Sequence, residues 1–294
     1  MIKKICLLLP LFLLSQLSAH DYHNLVSNTM LKTSIGYSEF TDSKQKTDAR
    51  VYTLSVHSKI DKHKIELYQL YSKAHTIQPP ISEDLEVSKT FARYSYDFSK
   101  QHNINVSFMD ITDNLVPTDG GKIYGLGYIY KQPQYFRVLL NQYHSDYKDF
   151  SVNQSDVNIQ FHKELDAWEF DVNVMLKSIS LNNYSNSIFN PKFKGSEPDD
   201  NYLTTGIKLH TAYQSYHAGV GAWFGDRIFA VMNNGFATQH HAMRFTEGYF
   251  VTVGKKFKGI NVIAKYTYQK ADELPSNTFD VGVESFSLQV AYKF

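Results

Sequence analysis

Apolar and polar residues alternate with a period of two through most of the chain, in segments of about ten residues. The clearest segment runs from Trp168 to Ser178. Trp168, Phe170, Val172, Val174 and Leu176 share one face, and Glu169, Asp171, Asn173, Met175 and Lys177 share the other. The last segment repeats the pattern, with Phe286, Leu288, Val290, Tyr292 and Phe294 opposed by Ser287, Gln289, Ala291 and Lys293. Successive side chains of a strand point to opposite faces, so these segments predict strands with one greasy and one wet side. Extending the reading gives strands near 28–40, 50–60, 64–74, 89–98, 103–112, 121–130, 135–145, 151–162, 168–178, 202–213, 216–225, 246–256, 260–269 and 281–294. In the third of these, Ile65, Leu67 and Tyr71 compete with Tyr68 and Leu70 for the apolar face. Almost nothing beyond the N-terminal segment has the spacing of an amphipathic helix.

The connections sharpen the picture. Tight ones at 61–63, 99–102, 131–134, 163–167, 214–215 and 257–259 alternate with mostly longer ones, the longest being 179–201 and 226–245. A half-buried soluble sandwich also shows alternating strands. It has no reason to sort its loops by length. An up-and-down barrel with an even strand number does, with both termini on the short-turn side. Tyr37, Tyr52, Tyr130, Trp168 and Tyr249 fall near strand ends, where rings with one wet edge and one apolar face form interfacial girdles. The expected fold is therefore all-β: a single up-and-down antiparallel transmembrane β-barrel over 28–294, with about 14 strands and 12 or 16 as alternatives.

Composition changes this little, and the N-terminus adds a destination. Mean hydropathy is negative, which excludes a bundle of membrane helices but not a barrel, where only alternate residues face lipid. Lys3 and Lys4 precede the apolar run 5–14, which is too short to span a bilayer, and Ser18 and Ala19 are small. This reads as a signal peptide, 1–19, cleaved near Ala19, followed by a short periplasmic extension, 20–27. The single cysteine, Cys6, falls inside the leader, so the mature chain has no disulfide. Losing Lys3 and Lys4 leaves 28 basic side chains against 29 acidic ones. A near-neutral chain without a basic block gives no electrostatic reason to expect nucleic acid.

The terminal strand FSLQVAYKF, with Phe286, Leu288, Val290, Tyr292 and Phe294 spaced by two, resembles the C-terminal signature of bacterial outer-membrane β-barrel proteins. The resemblance implies residence in the cell outer membrane and contact with its lipid. It also implies recognition of this strand by the barrel assembly machinery. A barrel of this size looks like the monomeric porins and the hydrophobic-substrate channels, and implies porin-like passive diffusion of small polar solutes. A transporter or lipid-handling barrel with a plugged lumen is an alternative, as is a structural or adhesive barrel whose external loops bind a partner. The oligomeric state is not legible in the sequence.

In such a barrel the non-lipid face lines the lumen. By parity its ionisable residues include Arg93, Asp97, Arg137, Asp156, Glu169, Asp171, Lys177, Lys208, His210, His217, Lys256, Lys265 and Lys293. Asp156, Glu169 and Asp171 gather on two neighbouring strands, and Lys208, Lys256, Lys265 and Lys293 on later ones. Acid facing base would set up a transverse field that orients dipolar solutes; charges merely solvated or paired are the plainer alternative. Gly125, Gly127, Gly219 and Gly221 leave space in the lumen, and Trp223 takes some back. The connection 226–245 carries an apolar run, 228–232, where water is expected. It is expected either to fold into the barrel mouth, with Arg227, Phe229, Met232, His240 and His241 at the constriction, or to extend two strands. Adjacent His240 and His241 point to opposite faces of an extended chain, and Asp199 and Asp200 beside Glu197 read as a solvated acidic loop, so no metal site is expected. No His-x-Ser pair of outer-membrane phospholipases is present, nor a placeable Asp–His couple as in omptin-like proteases. Neither an enzyme nor a cofactor is expected.

Overall fold

The computed structural model describes residues 29–77, 83–132, 135–188, 197–239 and 241–294. The predicted leader 1–19, the extension 20–27 and His240 lie outside the described residues. Fourteen long antiparallel strands close into one barrel. They are β1 (Thr29–Thr41), β2 (Lys46–Ile60), β3 (His63–Thr76), β4 (Leu85–Asp97), β5 (His102–Asp113), β6 (Lys122–Gln132), β7 (Phe136–Asp146), β8 (Ser151–Leu165), β9 (Trp168–Asn182), β10 (Asn201–Tyr213), β11 (Tyr216–Arg227), β14 (Met243–Lys256), β15 (Ile260–Glu273) and β16 (Thr278–Lys293). Two short strands, β12 (Val231–Met232) and β13 (Ala237–Thr238), pair with each other apart from the ring.

Each long strand pairs with its neighbour in sequence, and β16 returns to β1 in register from Met30↔Lys293 to Thr41↔Gly282. The tight turns lie at the end that holds Thr29 and Lys293, and the longer connections at the other. We refer to these as the turn end and the loop end. All five alternating residues of the terminal strand, Phe286, Leu288, Val290, Tyr292 and Phe294, face outward, between 36% and 55% exposed. Outward aromatics stand at the turn end, where Trp168 stacks on Phe170 and meets Tyr213, and toward the loop end, where Phe108 meets Tyr124 near the start of β6. Aliphatic residues such as Leu126, Val174, Ile207 and Val220 fill the belt between.

Several strands run further toward the loop end than the sequence pattern indicates. β4 starts at Leu85 rather than 89, β9 continues to Asn182 rather than 178, and β14 starts at Met243 rather than 246. There the two faces trade polarity: Leu85, Val87, Ile179 and Leu181 point inward and are buried, while Glu86, Ser88, Ser180 and Asn182 point outward. A strand whose apolar side switches faces loses the single greasy side that marks it, so the reading stops where the switch begins. In β3 both faces are apolar, which explains its ambiguity. Ile65 and Tyr71 face outward, while Tyr68 and Leu70 face inward onto a packed interior.

The outer belt fixes a testable energetic gradient. Ile207, midway along β10, is 44% exposed on the outer face, and Leu165, at a tight turn, is 53% exposed. In a lipid-inserted barrel a lysine costs about 2–4 kcal/mol at the midplane and about 0–1 kcal/mol near the interface. Urea titration of the protein folded into phosphocholine vesicles is therefore expected to show Ile207→Lys destabilising by that larger amount and Leu165→Lys by the smaller. Equal costs would show that the belt does not lie in hydrocarbon.

Candidate functional site

The loop between β11 and β14 turns inward and sits inside the barrel. At its root the register slips by a bulge between Phe224 and Arg227. Gly225 takes φ +94 there, and a Cβ at this position would strike the carbonyl of Leu203, so only glycine fits. Ile228, Phe229 and Ala230 are then completely buried and Val231 is 1% exposed. Phe229 packs among the rings of Phe150, Tyr184 and Tyr147, with centroids 4.8, 5.3 and 5.8 Å away. It does so at φ +51, a conformation that costs a bulky L-residue about 1–3 kcal/mol. Burying a phenylalanine offsets that with about 1.5–3 kcal/mol. The β12–β13 hairpin carries the chain across the lumen, and Phe236 in its turn meets Phe91 at 4.7 Å and Tyr68 at 5.8 Å on the opposite wall.

Polar ties hold the loop in register with the wall. Gln154 donates to the carbonyl of Val231 and accepts from its N–H, both at 2.8 Å. Lys177 donates to the same carbonyl at 2.8 Å while its ammonium lies 2.6 Å from Asp156. Lys89 donates to the Thr238 carbonyl at 2.7 Å. Arg93 pairs with Glu66, donates to the Asn234 carbonyl at 2.8 Å and lies over the Phe236 ring. These backbone acceptors would be stranded in a dry interior without such donors.

Below the loop, toward the turn end, lies a cavity of about 650 Å³. Met232, Asn234 and Gln239 roof it, and the walls come from β7 to β11 and β14 to β16. The predicted residues Arg137, Asp156, Asp171, Lys208, Lys265 and Arg227 meet here. The expected wall of acid is absent as free charge. Asp156 is occupied by Lys177, and Asp171 lies 2.9 Å from His162 and 3.5 Å from His210. Lys208 and Lys265 have no carboxylate within ion-pair distance among the described residues; both ammoniums lie over the Phe250 ring, at 6.0 and 4.6 Å. The remaining predicted residues sit elsewhere. Arg93 pins the loop tip, while exposed Glu169 and Lys256 stand beside the tight turns, apart from the cavity.

The glycines do not leave the expected space. A Cβ on Gly125 would collide with the Tyr143 ring, one on Gly221 with Phe250 and one on Gly248 with Trp223. Each aromatic lies directly across the ladder from its glycine, so the missing side chain is a seat for the neighbour's ring. Gln154 and Lys89 were missed as loop anchors, and Glu66 as the carboxylate that holds the anchor Arg93. Parity would have placed them in the lumen, but nothing in the sequence says which wall the loop touches. Among the described residues no three His, Cys, Asp or Glu side chains come together as metal ligands would.

No protein-family model matches the sequence, and no curated protein does either. Solved structures do match over nearly the whole chain. A FadL homologue from Pseudomonas aeruginosa shares 10% identity, covers 91% of this chain and 90% of its own, and has a TM-score of 0.54. The chain has the fold of bacterial outer-membrane β-barrels. A bacterial polysaccharide outer-membrane secretin, 11% identical, matches 92% of this β-barrel and 99% of its own chain at a TM-score of 0.51. The outer-membrane protein Omp33 of Acinetobacter baumannii, 9% identical, covers 92% and 100% at 0.49.

His241 makes docking of the β-barrel's loop sensitive to acid. It lies outside the strands, in the turn into β14, with Nε2 shut off from solvent. Burial, and then the positive charges of Lys46 and Lys89, hold its imidazole well below the ordinary histidine range. The docked state therefore resists a proton that a released loop accepts below about pH 6.5. Docking is expected to be strongest above that value and to weaken by up to about 1.4 kcal/mol per pH unit as pH falls below it. Hydrogen exchange over 228–239, corrected for intrinsic rates, should show protection lost between pH 7 and 5 in the native chain and a flatter profile in His241→Gln. Identical profiles would remove His241 from control of docking.

Proposed function

We propose that the protein is an outer-membrane channel for passive diffusion of small hydrophilic solutes, with a lumen narrowed by the loop 228–242. The observation that carries this reading is the 650 Å³ cavity, lined by charged and amide side chains together with apolar ones, inside a closed ring whose outer face is apolar. The basic start and short apolar run of the leader, the outward aromatics at both rims and the terminal Phe294 support export and residence in the outer membrane. The likeness to outer-membrane barrels supports the same placement through the fold. Its partners in this reading are lipid, the assembly machinery that reads the terminal strand, and the solute. Selection works by size at the docked loop and by the charge of the wall beneath it.

One observation favours a second reading. The cluster of Phe229, Tyr147, Phe150, Ile179 and Leu181 is dry and tightly packed. A transporter with a plugged lumen, in which the loop must leave before solute passes, needs such a seal.

Planar-bilayer recording separates the two. The intact protein is expected to give stable conductance steps, and replacing 228–239 by a short Gly-Ser linker should raise them several-fold. Heat-modifiable gel mobility reports that both forms are folded. Steps of unchanged size in the shortened form would show that the loop is no constriction. Silence from the intact form with conductance from the shortened one would select the plugged transporter.

A further inference from the structure

The cavity under the loop combines positive charge, an unsatisfied buried guanidinium and two aromatic faces. Arg227 is 2% exposed. One of its terminal nitrogens donates to Gln269 at 2.9 Å, while Nε and Nη1 are buried without a hydrogen-bond partner. The guanidinium is stacked on Trp223, with its central carbon 3.3 Å from the ring centroid. That contact stabilises a cation but supplies no acceptor. A buried donor left unmade costs about 1–3 kcal/mol, and more when charged, so a retained one marks a place where an acceptor is to arrive. Lys208 and Lys265 line the same cavity and hang over Phe250. Among the described residues no carboxylate pairs with any of the three. Nearby Asp156 and Asp171 are taken by Lys177 and by His162.

We propose that this cavity binds a small organic carboxylate, with Arg227, Lys208 and Lys265 holding the anionic group and Trp223 and Phe250 flanking its apolar body. The inference rests on the reading of the lumen as a solute path and names the class of solute. Nε and Nη1 open on different edges of the guanidinium, so each offers a carboxylate oxygen one charge-assisted hydrogen bond, shorter and stronger than a neutral one. The two ammoniums add charge without directional demand. The aromatic rings argue for an organic anion rather than an inorganic one, since only a carbon body gains from leaving water there. The roof is the docked loop, so the site is complete only while the loop is in place.

Binding can be read without conduction. The chain holds two tryptophans; Trp168 lies on the outer rim, so Trp168→Phe leaves Trp223 as the reporter. Detergent-folded Trp168→Phe protein is titrated with 3-phenylpropionate, with its neutral amide and with inorganic phosphate. The acid is expected to change Trp223 emission saturably, with amide and phosphate each weaker by about tenfold or more. Adding Lys208→Gln and Lys265→Gln should weaken the acid by a similar factor, and Lys208→Arg with Lys265→Arg should restore it. Gel mobility confirms that each variant is folded. Absence of a saturable response to the acid would overturn the proposal, as would equal affinity for the amide. Phosphate binding as tightly as the acid would overturn the organic-solute assignment. A silent channel that still binds the acid would remove the passage reading and leave this site standing.

Discussion

The structure depends on closure of the hydrogen-bonded ring at the seam between its first and last strands. Every other ladder joins neighbours in sequence; β1 and β16, first and last in the strand order, meet and run in unbroken register for twelve pairs. Across that seam Ser38 and Ser285, 247 positions apart, share a 2.8 Å hydrogen bond, and the N–H of Phe294 donates to the carbonyl of Thr29 at 3.0 Å. In a lipid-inserted barrel an open edge would leave a row of backbone donors and acceptors facing hydrocarbon, each costing several kcal/mol. Closure removes the edge and imposes the parity of every other residue. Once β16 places Phe286 outward, the alternation assigns one set of side chains to the belt and the other to the lumen.

A ring of this size encloses more space than its own inward side chains fill, and the chain answers with two devices. Cross-strand aromatics fold over glycines, as Tyr143 does over Gly125 and Phe250 over Gly221. The larger remainder is taken by the loop after β11, which brings its own apolar cluster and carries its backbone polar groups to prepared partners. The inner wall around Phe229 is accordingly apolar, while the wall below it is charged. Two solvents thus meet the same strand: β9 changes from Asp171 and Asn173 at the turn end to Ile179 and Leu181 at the loop end.

That change of solvent decides how much was legible in the sequence. Where one face met water, as in 168–178 and 286–294, strands, register and orientation could be read directly. Where the loop packed within, the apolar side switched to the inner face and the reading lost strand ends at 85–88 and 179–182; in β3 both faces were apolar and it lost the parity of Tyr68 and Leu70. The apolar run 228–232 marked the loop as one that must pack on something. Its target was hidden, because Gln154 and Lys89 look like any other lumen residue until the crossing of the hairpin is known. Individual charges were placed by parity, but their pairing was not. Asp156 and Lys177 face each other only through the β8–β9 register, Asp156↔Lys177, and nothing local announces that this acid is spent.

The pairing also explains why the cavity is basic in a chain with almost equal numbers of acids and bases. Lys177 lies between Asp156 and the Val231 carbonyl, 1% exposed. An ion pair so dry loses much of its attraction to desolvation, and its best-attested use is to specify geometry. Here it anchors the loop and withdraws the nearest acid from the cavity. Arg227 stands at the loop's root and Met232 and Gln239 in its roof, so the contacts that dock the loop also bring the unmatched guanidinium into the chamber and close the chamber over it. Obstruction of the lumen and assembly of its positive pocket are consequently one event, driven by burial around Phe229 and registered by Gln154 and Lys177.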